Sequence, residues 1–403
     1  MPNKREYKGI KRCVVAFSGG LDSTVISHML CGIGIEVIGV TVDVGQGREV
    51  LEIDRIVRKM GIKNYVIDAK EEFFSDFICR AIRANFMYGG MPHPTALSRP
   101  LIVKHLVDVA RLENAQAVAH GSTGKGNDQV RIDNGIRALA PELRIIAPVR
   151  DWGLWRDEEI EYAKKKGLPV RTSKTSPYAI DQNIWGREIK RGVIDGIDKP
   201  IPENVYKWSR PKKSGSCTIT LFFNNGLPAC LVQGNKKYYG ADIVVQLNSL
   251  AGNYGIGRFV GIQDKLVGIK RREVCEAPAA HVILTAHSAL ETAILTKSEI
   301  EVKRYLEGIW GELVYFGLWY SPLREEIDAF INMTQRYVEG KVRIRLSEKS
   351  VDIVGIESRY AIYDEIIAGQ EKEKYWSNED AGSFAKMYGL QDVFAKLLRE
   401  SNG

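Results

Sequence analysis

The feature that most constrains the fold is a short loop of small and polar residues, Ser-Gly-Gly-Leu-Asp-Ser-Thr, at positions 18–24. An apolar run, Cys13–Phe17, precedes the loop, and an amphipathic stretch, Val25–Leu30, follows it. This order is typical of a buried strand that turns through glycines into a helix. Backbone N–H groups and the positive helix end then form an anion site. The loop therefore predicts a phosphate site in an α/β fold.

The composition of this loop indicates which kind of phosphate site it is. It lacks the Gly-Lys-Ser or Gly-Lys-Thr ending of a Walker A loop and the three spaced glycines of a dinucleotide fingerprint. Ser18, Ser23 and Thr24 add hydroxyl donors, and the Asp22 carboxylate is suited to hold a magnesium ion. A simple helix cap would explain Gly20 and Ser23 but not Asp22. We interpret the loop as one that splits ATP between its α and β phosphates.

Short β-rich runs alternate with helical patterns up to about Val149, which predicts a doubly wound parallel sheet with helices on both faces. The predicted strands are Cys13–Phe17, Glu36–Val42, Asn64–Ile67, Ala117–Ala119 and Arg144–Ile146. Ligands of such sheets bind outside the carboxyl ends of the strands. We therefore expect the loops that begin at Ser18, Val42 and His120 to meet in one crevice.

Beyond Pro169 the pattern changes to one that favours an α+β domain. The predicted elements are a hairpin of Thr218–Phe223 and Ala229–Val232 joined by Asn224–Gly226, helices at Ala286–Leu295 and Pro322–Tyr337, a hairpin of Val342–Leu346 and Val351–Val354, and an amphipathic tail from Phe384 to Leu398. We expect a nucleotide-binding domain at 1–170, a synthetase and multimerisation domain at 171–375, and a C-terminal helical arm at 376–403.

Composition limits the remaining classes of function. The 403 residues include no apolar run of membrane-spanning length, and the charged N-terminus is not followed by a signal-type apolar region, so we expect a cytoplasmic protein without a membrane partner. Six cysteines without paired metal-ligand spacing indicate reduced, structural thiols. The net charge of +7 favours anionic ligands. Its densest cluster, Arg210–Lys213, is weak support for RNA binding.

A second chemical motif occupies residues 120–131, His-Gly-Ser-Thr-Gly-Lys-Gly-Asn-Asp-Gln-Val-Arg. Its glycines permit close backbone approach to a ligand, and Lys125 and Arg131 can neutralise phosphate or carboxylate charge. Asn127 and Asp128 can orient an amino group. A solvated loop has no need for this mixture of residues. We take Asp22, Lys125, Asp128 and Arg131 as the candidate catalytic residues.

On these motifs the chain resembles the argininosuccinate synthase family over nearly its whole length. Further segments that carry the resemblance are Val42–Gln46, Thr95–Pro100, Tyr178–Arg187 and Gly252–Arg258. The cofactor-binding residues implied by the resemblance are Ala16, Phe17, Ser18, Gly19, Gly20, Leu21, Asp22, Ser23, Thr24, Val42 and Gly121, with Asp22 also the metal ligand. Thr123, Asn127 and Asp128 resemble the aspartate site, and Asn127 and Arg131 match positions near the acceptor.

The resemblance implies an AMP-forming carbon–nitrogen ligase of arginine biosynthesis. ATP and Mg²⁺ would activate the ureido oxygen of citrulline as an adenylate, and the amine of aspartate would displace AMP. This route is chemically reasonable because a urea carbon has no good leaving group until its oxygen is esterified. The resemblance also implies a homotetramer whose C-terminal arm reaches across subunits.

The sequence departs from the family pattern mainly at the positions expected to contact citrulline. Met91 and Cys275 stand where tyrosines are usual, Ala179 and Glu188 where serines are usual, and Gln263 where a glutamate is usual. Ala96 also replaces a frequent serine, beside Thr95, which can supply a hydroxyl. We retain all seven as candidate substrate-binding residues.

Three functional interpretations follow from this pattern. The first is an argininosuccinate synthase with a changed citrulline pocket. The second is a paralogue that applies the same ATP and aspartate chemistry to another ureido or amide acceptor. The third is a tRNA-modifying ATP pyrophosphatase, which only the net charge and the cluster at Arg210–Lys213 support. We do not expect a nucleic-acid partner.

Overall fold

The computed structural model describes residues 7–47, 49–170, 177–368 and 375–402. Its first part is a parallel sheet with the spatial order β3-β2-β1-β4-β5. The five strands are β1 (Arg12–Ala16), β2 (Glu36–Asp43), β3 (Lys63–Asp68), β4 (Ala117–Ala119) and β5 (Arg144–Ile146). The helices of this part are α1 (Leu21–Gly32), α2 (Glu49–Lys59), α3 (Lys70–Glu72), α4 (Cys79–Arg83), α5 (Pro94–Leu112), α6 (Asp128–Leu139), α7 (Pro148–Asp151) and α8 (Arg156–Lys166), with a π-helical turn, Phe73–Ile78, between α3 and α4.

Both faces of the parallel sheet are covered because side chains alternate along each strand. On β1, Val14 belongs to one buried apolar cluster, whereas Cys13 and Val15 belong to another. Helices α1 and α2 contribute Ile26 and Ile53 to the second cluster, and α5 packs into the first. The predicted α/β class with a doubly wound parallel sheet is confirmed.

The second part of the chain adds two antiparallel sheets. Its strands are β6 (Ala179–Asn183), β7 (Gly186–Lys190), β8 (Cys217–Asn224), β9 (Leu227–Gln233), β10 (Lys236–Tyr238), β11 (Arg258–Asp264), β12 (Lys270–Glu276), β13 (Gly340–Ser347) and β14 (Ser350–Glu357). They are ordered β10-β9-β8-β13-β14 and β11-β12-β7-β6. The predicted hairpin turn is confirmed, with positive φ at Asn225 and Gly226.

The helices of this part are α9 (Ala241–Gly252), α10 (Pro278–Ile294), α11 (Lys297–Tyr315) and α12 (Pro322–Thr334), with 3₁₀ turns at Gly192–Asp195, Glu203–Val205 and Gln335–Tyr337. The larger apolar cluster runs from the parallel sheet into the β8 sheet, where it includes Ile219 and Leu221. The same cluster includes Trp185, between β6 and β7, and Cys275 of β12, so it also joins the β11-β12-β7-β6 sheet to the parallel sheet.

Residues through Tyr360 form one compact unit, and residues from Ala361 form a second. The second unit contains α13 (Glu365–Ala368), α14 (Asn378–Met387) and α15 (Leu390–Asn402). The tail predicted from Phe384 to Leu398 consists of two helices, which Gly389, with φ of 81°, separates. The division at 170 and 375 stays a prediction, and segments 171–176 and 369–374 beside it lie outside the described residues.

Within the described ranges, no helix is both long enough and apolar enough to cross a membrane.

Candidate active site

The turn between β1 and α1 can be made only with a residue that lacks a side chain. Gly19 has φ of 67°, and a Cβ atom added there would lie 2.7 Å from Cγ1 of Ile53. The preceding residue, Phe17, is anchored to β2, because its N–H donates to the Val40 carbonyl and its own carbonyl accepts from Thr41 Oγ1. The loop therefore starts from a fixed point at the end of the strand.

The hydroxyl groups of the loop divide into two sets. Thr24 Oγ1 donates to the Gly20 carbonyl at 2.8 Å, and Ser23 Oγ donates to the same oxygen at 3.2 Å. Both side chains are buried, so they hold the turn together, whereas Ser18 is exposed. Leu21 packs its side chain into an apolar cluster with α8. Helix α1 has no side-chain cap, which leaves its N-terminal N–H groups for a ligand.

Asp22 lies where the loops that follow β1 and β4 meet. A Cβ atom added to Gly121 would lie 2.9 Å from Cβ of Asp22, so only glycine permits this approach. Val42 is the last residue but one of the neighbouring strand β2, and its carbonyl accepts from Gln46 Nε2. Asp22 is partly exposed, and among the described residues no cation lies within ion-pair distance of it. An acceptor-only carboxylate in this position suits a hard cation.

The carboxyl group of Glu159, on α8, lies within hydrogen-bonding reach of Asp22. Glu159 is 2% exposed. Burial, and then the negative charge of Asp22 and the hydrogen bond to it, raise the pKa of Glu159 to about 8. Two carboxyl groups therefore face each other at the base of the phosphate loop. Nothing in the sequence indicated this pair, because it depends on how α8 packs on α1.

The second motif begins from a fixed histidine. The Ser122 N–H donates to His120 Nδ1 at 3.2 Å, so Nε2 carries the ring proton and donates to Asp133 Oδ1 at 2.8 Å. Arg150 Nη1 donates to the other oxygen of Asp133 at 3.0 Å. Although burial opposes ionisation, His120 and Arg150 hold the pKa of Asp133 below its usual value. The start of the loop is thus tied to α6 and α7.

The middle of this motif is more exposed. The Thr123 carbonyl accepts from the Gly126 N–H at 3.1 Å, which closes a tight turn. Lys125 is exposed, and its Nζ lies 5.3 Å from the ring centroid of Trp155. Trp155 is itself 65% exposed. Asn127 bonds the turn between β11 and β12, donating to the carbonyl of Asp264 at 3.3 Å.

Asp128 is the centre of an ion-pair network. Arg99 Nη2 donates to Asp128 Oδ2 at 2.9 Å, and Arg131 Nη1 donates to Oδ1 at 2.9 Å. Arg99 also reaches Asp181 Oδ1 at 3.4 Å, and Arg131 Nε donates to the Tyr315 carbonyl at 2.9 Å. Burial opposes ionisation, yet the two guanidinium groups hold the pKa of Asp128 well below its usual range. The five residues belong to four elements, α5, α6, β6 and α11, which this network joins.

Glu188 forms a buried ion pair on β7. Lys190 Nζ lies 2.7 Å from Glu188 Oε2, and the Thr95 N–H donates to Oε1 at 3.1 Å. Glu188 is 1% exposed, and although burial opposes ionisation, Lys190 and then His93 lower its pKa to about 2. Lys190 Nζ also lies 3.9 Å from Glu273 Oε2. Burial raises the pKa of Glu273 above its ordinary value.

Three more predicted acceptor residues lie beside this ion pair. Gln263 Nε2 donates to the Gly89 carbonyl at 3.1 Å and lies 3.1 Å from Sδ of Met91. Cys275 is paired opposite Glu188 between β12 and β7. Met91, Gln263 and Cys275 are each no more than 1% exposed. The amide nitrogen of Gln263 and the sulfur of Met91 therefore already have partners within the chain.

The remaining three residues predicted to contact the acceptor lie close to the Glu188–Lys190 ion pair. Thr95 and Ala96 begin α5 and are both buried, and Ala179 lies opposite Lys190 in the β6–β7 pair. The structure thus gathers the acceptor candidates on α5, β6, β7, β11 and β12.

Some residues of this site were not predicted individually. Arg99 and Asp181 lie inside two segments that carried the family resemblance, so attention to charged residues there would have found them. Lys190 had no such signal, because its pairing with Glu188 follows from the strand position and the packing around it. Arg210, in the basic cluster, donates to the carbonyls of Tyr206 and Asn204 and so stabilises its own loop.

Comparison with known proteins gives a consistent result for both parts of the chain. The family model of the arginosuccinate synthase N-terminal HUP domain matches residues 12–169, and that of the arginosuccinate synthase C-terminal domain matches residues 178–395. A protein from Dictyoglomus turgidum named argininosuccinate synthase is 46% identical over 395 residues, covering 97% of this chain and 99% of that protein. A protein of the same name from Pyrococcus furiosus is 45% identical, and the match covers 95% of this chain and 94% of that protein. Another, from Methanocaldococcus jannaschii, is 42% identical, and the match covers 96% of this chain and 98% of that protein.

Proposed function

The chain belongs to the argininosuccinate synthase family, and from this membership we propose that it joins citrulline to aspartate at the expense of ATP. The ureido oxygen of citrulline attacks the α-phosphorus of ATP, the bond to the β-phosphate breaks, and pyrophosphate leaves. The amine of aspartate then attacks the ureido carbon and loses a proton. The carbon–oxygen bond breaks, AMP departs with that oxygen, and argininosuccinate remains.

The observation that carries this proposal is the meeting of two chemically different loops at one edge of the parallel sheet. Asp22 and the open end of α1 belong to the first loop, and Gly121 of the second packs directly on Asp22. The second loop continues to Asp128 and Arg131, whose network reaches β6 and the acceptor candidates. This arrangement supports an ATP site and an amino-acid site that share one crevice, which gives the rate advantage of oriented reactants.

We assign the residues of the two loops to binding ATP, to binding aspartate and to the junction with the acceptor site. Residues 16–24, with Val42 and Gly121, bind ATP, and the N–H groups at the start of α1 stabilise the charge that develops on the departing pyrophosphate. Thr123, Asn127 and Asp128 bind aspartate. The exposed Lys125 neutralises phosphate or carboxylate charge, and Arg131 is held by Asp128 and Tyr315 at the junction of the aspartate and acceptor sites.

Mg²⁺ fits the residues around the phosphate loop. Asp22 is an acceptor-only carboxylate without an ion-pair partner among the described residues, and Mg²⁺ in nucleotide sites is usually held by one or two carboxylates and the phosphates themselves. The ion supplies positive charge that stabilises the pyrophosphate leaving group. Asp22 orients that charge, and the surrounding loop keeps its position relative to the phosphates.

A second candidate function is supported by the acceptor side. The Glu188–Lys190 ion pair and the internal hydrogen bonds of Gln263 occupy positions expected to bind the amino-acid end of citrulline. A ligand with a zwitterionic end would have to displace these internal partners, which is costly for buried charges. This observation favours a ureido or amide acceptor other than citrulline, used with the same ATP and aspartate chemistry.

We also propose that the chain assembles as a homotetramer through its C-terminal helices. On α15, Val393, Phe394, Leu397 and Leu398 are each at least 54% exposed, and their spacing places them on one side of the helix. An exposed apolar face of this kind indicates a protein partner, and a second copy of the chain is the partner that the family resemblance implies.

The test of the proposed function is a product analysis with purified protein, ATP, Mg²⁺ and aspartate, with and without citrulline. We expect pyrophosphate release that depends on citrulline, with argininosuccinate as the product. Release that requires another ureido or amide compound, and none with citrulline, would select the second candidate. Absence of release with every acceptor, in a protein that binds ATP, would contradict both.

A further inference from the structure

A buried carboxyl oxygen beside the phosphate loop has no partner. Oε1 of Glu159 is inaccessible to solvent, and no donor group of the described residues lies within hydrogen-bonding distance of it. The residue is 2% exposed, and neither Glu159 nor Asp22 has an ion-pair partner among the described residues. An unpaired carboxyl oxygen in such a position costs free energy, and a bound cation is one of the partners that remove this cost.

Glu159 is held in place by a packed helix. Helix α8 contributes Ala163 to an apolar cluster with Leu21 and Val25 of α1. This packing brings Glu159 to the first turn of α1, where its carboxyl group faces that of Asp22. Gly121 closes the other side of Asp22. The two carboxyl groups therefore lie together on rigid elements where the ATP phosphates are proposed to bind.

The part of the chain that the structure describes supplies too few ligands to bind a metal ion alone. Within the described residues, no group of three or more histidine, cysteine or acidic side chains is arranged to hold one. A pair of carboxylates nevertheless suits Mg²⁺, which nucleotide sites hold through one or two carboxylates while the nucleotide provides further oxygens and water completes the octahedron. A site of this kind binds the ion tightly only when nucleotide is present.

We propose that Glu159 is the second protein ligand, with Asp22, of the divalent cation that accompanies ATP. This inference rests on the proposed function, because the nucleotide phosphates complete the site. It adds a residue on α8 to a site otherwise formed by the loops after β1 and β4.

The test measures Mn²⁺ binding by electron paramagnetic resonance in the presence of ATP and the absence of acceptor, so that no turnover is needed. In Glu159→Gln, which keeps the size of the side chain, we expect the Kd for Mn²⁺ to rise at least about tenfold. Glu161→Gln is the matched control, because Glu161 is exposed on the same helix. Its Kd should equal that of the unchanged protein. ATP affinity measured in a chelator should be the same in all three.

A second readout separates a ligand from a residue that only positions Asp22. In protein labelled with ¹³C at the glutamate carboxyl groups, bound Mn²⁺ should show a ¹³C hyperfine coupling that Glu159→Gln loses and Glu161→Gln retains. An unchanged Kd or an absent coupling overturns the inference. Asp22→Asn separates this result from failure of the proposed function. If that variant also binds Mn²⁺ normally, no cation is held at the loop and the proposed site itself is wrong.

Discussion

At the scale of single residues, the main feature of the acceptor side is the ionised carboxylate of Glu188, whose charge burial disfavours. Glu188 stays ionised because Lys190 lies 2.7 Å away, and its pKa of about 2 lies below the ordinary glutamate value of about 4.3. A group whose pKa is lower in the folded protein contributes stability above its ordinary pKa. That contribution is lost as the pH falls from about 4.3 towards 2.

The Glu188→Gln variant tests this pair. We expect a loss of about 3 kcal/mol in the free energy of unfolding at pH 7, because the largely buried Lys190 would lose its nearest charge partner and keep only Glu273 at 3.9 Å. The difference between the two proteins should shrink as the pH is lowered from 5 to 2. Denaturant unfolding followed by fluorescence at several pH values measures it.

Glu357→Gln serves as the control for this experiment. Glu357 pairs with Lys341 at the same 2.7 Å distance, but both side chains are largely exposed to solvent. The variant should lose much less stability than Glu188→Gln, because solvent screens an exposed ion pair. Equal losses in the two variants, or a Glu188→Gln deficit that does not change with pH, would contradict the role assigned to the buried pair.

At the scale of elements, prediction from the sequence was best where the signal was local. The strand before the phosphate loop was predicted as Cys13–Phe17 and is Arg12–Ala16, because apolar alternation and the following glycines are properties of neighbouring residues. Strands β6 and β7 were missed. Their sequences are largely polar, and they become strands only by pairing with each other and with β12.

The candidate site shows the same division. The ATP and aspartate loops could be predicted because glycines and charged residues crowd into short segments. Glu159 could not, since it lies more than 130 positions from Asp22 in the chain and the two meet only through the packing of α8 on α1. The Glu188–Lys190 pair was missed because a charge that alternates along a strand looks like a solvated face until its burial is known.

The phosphate loop provides a test at this scale. Gly19→Ala introduces a Cβ atom 2.7 Å from Ile53 Cγ1 and forces a left-handed conformation that costs an alanine about 1–2 kcal/mol. The loop can relieve both only by changing shape, so we expect the Kd for ATP to rise about tenfold or more. Isothermal titration calorimetry without acceptor measures this directly.

Gly61→Ala separates loop shape from backbone strain. Gly61 has φ of 69°, nearly that of Gly19, but an added Cβ atom there meets nothing within 4 Å. Backbone strain should lower the stability of this variant about as much as it lowers that of Gly19→Ala. ATP binding should stay normal. Normal ATP binding by Gly19→Ala would show that the loop does not form the phosphate site.

At the scale of the whole molecule, the C-terminal helices present apolar side chains that single chains rarely expose. The face formed by Val393, Phe394, Leu397 and Leu398 belongs to the second compact unit. We expect the Phe394→Ser and Leu398→Ser double variant to lower the molar mass in solution from that of four chains to that of fewer. Light scattering after size-exclusion chromatography measures the mass.

The control for the assembly is Lys396→Ser, a change on the same helix at a side chain that is 77% exposed and charged. Its mass should match that of the unchanged protein. If the double variant keeps the mass of four chains, the arm is not the surface that holds the tetramer together.

The central claim for the molecule is that ATP is spent on the ureido oxygen of citrulline. The most direct measurement supplies citrulline labelled with ¹⁸O at that oxygen, together with ATP, Mg²⁺ and aspartate, and follows the products by mass spectrometry. The account predicts argininosuccinate without the label and AMP that carries one ¹⁸O atom, because the ureido oxygen leaves with the α-phosphate. Unlabelled AMP, or no argininosuccinate at all, would contradict it.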